Sequence, residues 1–206
     1  ADSVSADGAV TLADGFSGNV NGDDVSIAND ADGVVYNDGA ISGVSDGASV
    51  TADDVPVTFD SGAVAAEVNG KAYDVNDPAG ASVGADGVLN VGENATVNSA
   101  DSVQAADDVV LGDGFNGNVN GSDIAVSGDA DGITAAIGEN GAVDSISGLD
   151  SGATASVPAG TPVSTNGAGS VDLNGSTITT DDSDGLTLTP RADGAIAIDP
   201  ESIAEN

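Results

Sequence analysis

The sequence contains no cysteine, methionine, tryptophan or histidine, and only Lys71 and Arg191 among its 206 residues are basic. Without cysteine there are no disulfide staples, although many bacterial surface proteins also lack them, so this absence does not assign a compartment. Without His, Cys or a cluster of basic groups, the usual nucleophile, general base and oxyanion partners are missing, and an enzyme is not expected. A carboxylate pair could in principle hydrolyse glycosides. Sugar sites usually carry aromatic platforms, however, and this chain has two Tyr and three Phe. Phe16 and Phe115, which match across an internal repeat, read as core plugs rather than ligand platforms.

The scarcity of cations leaves a net charge of −33. Nucleic acid and anionic lipid are poor partners for such a chain, because both are bound by clustered Lys and Arg that release counterions. Divalent cations are the expected partners instead. No stretch approaches the ~18 continuous apolar residues of a membrane-spanning helix, so no membrane insertion is expected. With no Met, residue 1 is not an initiator, and Ala1 fits the start left by a signal peptidase. A secreted, cell-surface location is the expectation.

What is present argues for order. The chain is 39% hydrophobic, and its Val and Ile recur at strand-like spacing, which supplies a modest aliphatic core.

A repeat dominates the sequence. Residues 1–36 align with residues 100–135 at an offset of 99, with 20 of 36 positions identical. Differences such as Val25 for Ile124, Ile27 for Val126 and Val34 for Ile133 keep apolar character. The match continues more weakly, with Asn69-Gly70 meeting Asn174-Gly175 and Ala85-Asp86-Gly87 meeting Ala192-Asp193-Gly194. A repeat of about 100 residues is the size of a domain, whereas solenoid units run to about 20–45 residues. Two acidic domains, 1–99 and 100–206, are therefore expected.

Short alternating segments, including Val25-Ser26-Ile27, Val55-Pro56-Val57-Thr58-Phe59 and Ile196-Ala197-Ile198, read as half-buried strands. Ala63 to Val68 reads as a strand as well. Asn-Gly, Asp-Gly and Gly-Asn pairs between them supply the positive φ of tight hairpins. The expected fold is all-β: two tandem homologous antiparallel β-sandwich domains, with a small barrel as the alternative.

Of the 35 acidic residues, 30 are Asp. Asp30-Ala31-Asp32-Gly33 and Asp129-Ala130-Asp131-Gly132 each set two carboxylates two residues apart, within reach of one hard cation from a loop. Asp24 with Asp123, Asp14 with Asp113, and Asp181, Asp182 and Asp184 are further candidates. None completes an EF-hand loop or a calcium β-roll nonapeptide. The bland alternative is a turn with solvated carboxylates, since Asp is favoured there for its backbone hydrogen bonds. Calcium is the expected cofactor, because bound cations relieve self-repulsion. The sequons at Asn94, Asn120 and Asn174 are frequent by chance in a chain of this composition.

In unit length, in Asp content and in the phrase Val68-Asn69-Gly70-Lys71-Ala72-Tyr73, the chain resembles the tandem immunoglobulin-like β-sandwich repeats of large bacterial cell-surface adhesins. That resemblance implies a stalk or surface-fibre role, with calcium stiffening the linkers through Asp101, Asp107 and Asp108. Their counterparts Asp2 and Asp7 would serve a preceding domain or neighbouring subunit. The expected function is thus a non-enzymatic extracellular structural protein, either self-associating into fibres or continuing covalently in a longer stalk. For self-association, Val4 to Leu12 is the candidate donor strand. The alternative is a binding module for glycan, mineral or ice, the last resting on Ser176-Thr177-Ile178-Thr179-Thr180 and Leu186-Thr187-Leu188-Thr189.

Overall fold

A computed structural model describes residues 2–181 and 183–200. The chain is all-β, as its alternation and turn residues imply, and its strands follow a recurring order. The first module contains β1 (Asp2–Val4) and β2 (Val10–Leu12), a hairpin of β3 (Ser17–Val20) and β4 (Asp23–Ala28), and a hairpin of β5 (Val34–Asn37) and β6 (Ala40–Val44). The second repeats the plan with β7 (Ser49–Ala52), β8 (Val57–Phe59), the hairpin β9 (Gly62–Val68) and β10 (Lys71–Asp77), and the hairpin β11 (Ser82–Val83) and β12 (Leu89–Val91). After β13 (Thr96–Ser99) the third module runs through β14 (Ser102–Ala105), β15 (Val109–Leu111), the hairpin β16 (Asn116–Val119) and β17 (Ser122–Ser127), and the hairpin β18 (Ile133–Ile137) and β19 (Val143–Leu149). The fourth has β20 (Thr154–Ser156), β21 (Val163–Thr165), the hairpin β22 (Gly169–Leu173) and β23 (Ser176–Thr180), and the hairpin β24 (Thr187–Pro190) and β25 (Ile196–Ile198).

The described chain forms two compact units, one of residues up to 95 with 102–104, the other of residues 96–101 and those from 105 onward. Within the first, one sheet runs β1-β3-β4-β7-β9-β10 and the other β2-β5-β6-β8-β11-β12-β14. Within the second, the orders are β13-β15-β18-β19-β21-β24-β25 and β16-β17-β20-β22-β23.

Each unit is a β-solenoid, which overturns the expected pair of immunoglobulin-like sandwiches and the barrel alternative. The deciding feature is parallel pairing between strands one winding apart. Asp2 lies beside Gly18, Ile41 beside Val57 and Ser49 beside Glu67 in the first unit, and Ile146 beside Val163 and Thr154 beside Asp172 in the second. A sandwich of antiparallel hairpins and Greek keys makes no such rungs. The resemblance to adhesin sandwich repeats falls with it. The 99-residue offset encloses two of these modules.

Hairpins interrupt the winding at every module, so antiparallel rungs alternate with the parallel ones. Four of these hairpins turn on Asn-Gly pairs at 21–22, 69–70, 120–121 and 174–175, all with positive φ at both residues. Such pairs match the twist of two-residue hairpins. Inward positions are filled by aliphatic side chains, among them Val20, Ile41, Val50, Val57, Leu89, Val119, Ile133, Ile146 and Leu149, all fully buried. Phe115 and Tyr73 join them, and the Tyr73 hydroxyl donates to the carbonyl of Gly87 at 2.9 Å. Phe16 is only half-buried.

Candidate functional site

The polar residues that punctuate the modules close the backbone at the solenoid's corners. In every module the Asn of the first Asn-Gly turn reaches back to a strand end one winding earlier and pairs with that residue's N–H and C=O together. Asn21 does so with Ala6 at 2.9 and 3.0 Å, and Asn69 with Ala52 at 2.8 and 3.0 Å. Asn120 holds Ala105 at 2.8 and 2.8 Å, and Asn174 holds Val157 at 2.9 and 3.0 Å. The side-chain amide, with one donor and one acceptor in plane, stands in for a strand residue where the sheet would otherwise leave a backbone pair unmet.

A second device follows eight or nine residues later. Asp30, Asp77 and Asp129 are each fully buried. Asp30 accepts the amides of Gly33 at 3.0 Å and Ser45 at 3.1 Å. Asp77 accepts those of Ala79 at 2.8 Å and Gly92 at 2.9 Å. Asp129 accepts the Asp150 amide at 3.0 Å through Oδ2, while Oδ1 has no hydrogen-bond partner among the described residues. Burial pushes the Asp129 carboxyl above the ordinary aspartate range, with the neighbouring Asp150 carboxylate adding to the shift and nearby backbone amides opposing it. Three residues after each Asp stands a glycine at positive φ, Gly33, Gly80 and Gly132, and Gly185 repeats it. A Cβ on Gly33 or Gly132 would lie 2.6 Å from the carbonyl oxygen of Leu12 or Leu111, so these corners admit only glycine.

The residues proposed as metal ligands fall on these same corners and turns. Asp30 and Asp129 face inward as described, while Asp32 and Asp131 are exposed. Asp24 and Asp123 are exposed at hairpins, where they accept from the side-chain amides of Asn19 at 3.0 Å and Asn118 at 2.7 Å. Asp14 and Asp113 accept the amides of Asn29 at 2.6 Å and Gly128 at 2.7 Å. Asp108 accepts the Ile137 amide at 2.9 Å, and Asp101 and Asp107 are exposed. Asp182 lies outside the described residues. Among those described, no three or more His, Cys, Asp or Glu side chains gather into a group able to hold a metal ion.

Other features also have structural partners. The segment from Val4 to Leu12 pairs within its own unit, β1 with β3 and β2 with β5. The two threonine rows lie in different sheets, β23 at the end of one and β24 beside β25 in the other, so they do not form one flat face. The amides of Asn120 and Asn174, read as sequons, hold backbone groups. Tyr36, buried, donates to the Asp23 carboxylate at 2.5 Å. That bond, seconded by burial, raises the phenol above its usual value.

The corner devices escaped the sequence reading, yet their signal was there: Asn-Gly at 21, 69, 120 and 174, followed by Asp-x-x-Gly at 30, 77, 129 and 182. Comparison with protein-family models, with curated proteins and with solved structures returned no match.

Proposed function

We propose that this chain is a non-catalytic structural protein of an extracellular surface, a spacer in a fibre or stalk. The observation that carries the reading is the fourfold Asn clamp. In all four modules the turn asparagine is committed to backbone groups of its own solenoid. The acidity supports a hydrated exterior that resists non-specific association. With only Lys71 and Arg191 as trypsin-type sites, the chain suits a protease-rich setting. Cations take part in this reading by screening the exposed carboxylates, which needs no built coordination site.

Single-molecule stretching between terminal handles tests the role. A spacer should hold force and then yield in steps of about one module's length. Extension like that of a featureless polymer, without steps, would overturn the reading. Melting with calcium, with chelator and with monovalent salt of equal ionic strength tests the cation part. Equal gains from both salts are expected, and a sharp gain from low-millimolar calcium alone would require an organised site.

A further inference from the structure

Seven Asn-Gly pairs occur in the chain, and the fold treats one of them differently from the rest. Asn-Gly is open to a self-reaction in which the glycine nitrogen attacks the asparagine side-chain amide, because glycine puts no Cβ in the way of the five-membered ring that forms. Closing that ring needs a side chain free to swing onto the following nitrogen and a backbone free to rotate. Asn21, Asn69, Asn120 and Asn174 are the clamps, with side-chain donor and acceptor both held. Asn166 Nδ2 donates to the Gly148 carbonyl at 3.0 Å and to the Asp150 carboxylate at 2.7 Å. Asn116 is exposed but lies in β16 opposite Ala125, and a Cβ on Gly117 would sit 2.4 Å from the Ala100 carbonyl oxygen, so that backbone has no room to turn.

Asn140 differs on both counts. It is exposed at the tip of the β18–β19 hairpin, in a turn closed by the Gly141 N–H donating to the Gly138 carbonyl at 2.8 Å. Its Oδ1 accepts the Ala142 N–H at 3.0 Å, and its Nδ2 has no partner among the described residues. The accepted bond draws electron density from the side-chain carbonyl and leaves Cγ the better electrophile. The same turn occurs twice more. There Asp86 and Asp193 accept the N–H of Val88 and of Ala195, each at 3.1 Å, and Gly87 and Gly194 close the turn on Gly84 and Arg191 at 2.9 and 3.0 Å. An aspartate already serves where Asn140 stands, so the acid product fits the turn.

We propose that Asn140 is a self-modification site, converting to aspartate and isoaspartate in the folded chain while the clamp asparagines are protected. The Gly141 turn bond opens first, as exposed hairpin tips do by fraying. The Gly141 nitrogen then bonds to Asn140 Cγ and yields its proton to solvent. The Cγ–Nδ2 bond breaks, and Nδ2 takes up a proton and leaves as ammonia. Water, the sole co-reactant, opens the ring at Cγ to give aspartate or at the Asn140 main-chain carbonyl carbon to give isoaspartate. Isoaspartate lengthens the main chain by a methylene before Gly141, whose carbonyl accepts from Asn120 Nδ2 at 2.9 Å. That product therefore pulls on the third clamp, whereas aspartate leaves it in place. The site does not depend on the spacer role.

The test holds the folded full chain at mildly alkaline pH and maps its peptides by mass spectrometry. Asn140 should convert about tenfold or more faster than any other Asn-Gly, because the others must first break their bonds. In denaturant the seven rates should converge. Another Asn-Gly converting as fast as Asn140 in the folded chain would overturn the assignment. So would a preference for Asn140 that persists in denaturant, since it would then come from local sequence and not from the fold. The isoaspartyl form should also melt below Asn140→Asp, which carries the same charge, and equal melting would overturn the link to Asn120.

Discussion

Asn69 pairs with Ala52 through both halves of its side-chain amide, Nδ2 donating to the carbonyl at 3.0 Å and Oδ1 accepting the N–H at 2.8 Å. The same bond pair recurs in all four modules. Asn69→Ala leaves two backbone groups of a buried strand end unmet and should cost about 1–3 kcal/mol in denaturant unfolding. Asn120→Ala should cost more than Asn69→Ala, because Asn120 Nδ2 also donates to the Gly141 carbonyl at 2.9 Å. Asn69→Asp keeps the acceptor for the Ala52 N–H but turns a carboxylate oxygen toward the Ala52 carbonyl, so it too should destabilise at neutral pH.

Glycine substitutions should separate crowded corners from open turns. Gly22 has φ +114° and nothing near the place of a Cβ, so Gly22→Ala is expected to cost about 1–2 kcal/mol from backbone strain alone. Gly33→Ala adds a collision with the Leu12 carbonyl, and a further ~1–3 kcal/mol is expected from overpacking. Equal melting temperatures for the two variants would contradict the corner geometry.

The buried aspartates should differ in their response to neutralisation. Both Asp30 oxygens accept amide protons, so Asp30→Asn points an N–H at an N–H and should destabilise by about 1–3 kcal/mol. Asp129 Oδ1 has no such partner. Asp129→Asn should therefore be neutral or stabilising at pH 7.

That contrast carries a pH signature. Folded Asp129 holds its proton more tightly than the unfolded chain does. Its favourable contribution is fully present below the ordinary aspartate value and is lost as pH rises through the raised folded value. Stability measured across that window should fall with rising pH in the parent chain relative to Asp129→Asn. A parallel pair of curves would count against the buried, under-partnered carboxyl.

Tyr36 should ionise late. The phenol donates to Asp23 and is buried, and both raise its pKa. Its contribution to stability is present below the unfolded phenol value and disappears as pH rises through the folded one. In ultraviolet titration, Asp23→Asn should move one of the two tyrosine transitions to lower pH, and Tyr36→Phe should remove that same transition.

Much of the local structure was legible in the sequence, and the winding was not. Strands at Val25-Ser26-Ile27, Ala63 to Val68 and Ile196 to Ile198 follow from period-two alternation, and the hairpins follow from Asn-Gly. Alternation reports only that one face is buried, and it is the same whether a strand's neighbour lies in its own hairpin or one winding away. The offset of 99 concealed a module of half that length, because its halves share corner residues rather than continuous identity. Asp77-Pro78-Ala79-Gly80 serves the role of Asp30-Ala31-Asp32-Gly33 with only the ends in common. The Asp-rich turns suggested coordination because a carboxylate suited to a cation is equally suited to backbone amides. Only the burial of Asp30, Asp77 and Asp129 separates these three as amide acceptors from exposed Asp32 and Asp131.

The most direct test of the solenoid is the backbone proton–proton contact map of the isotopically labelled chain by nuclear magnetic resonance. The account predicts parallel-strand contacts between β6 and β8 with Ile41 opposite Val57, and between β19 and β21 with Ile146 opposite Val163. Finding those four strands paired only antiparallel, as in a sandwich, would contradict it.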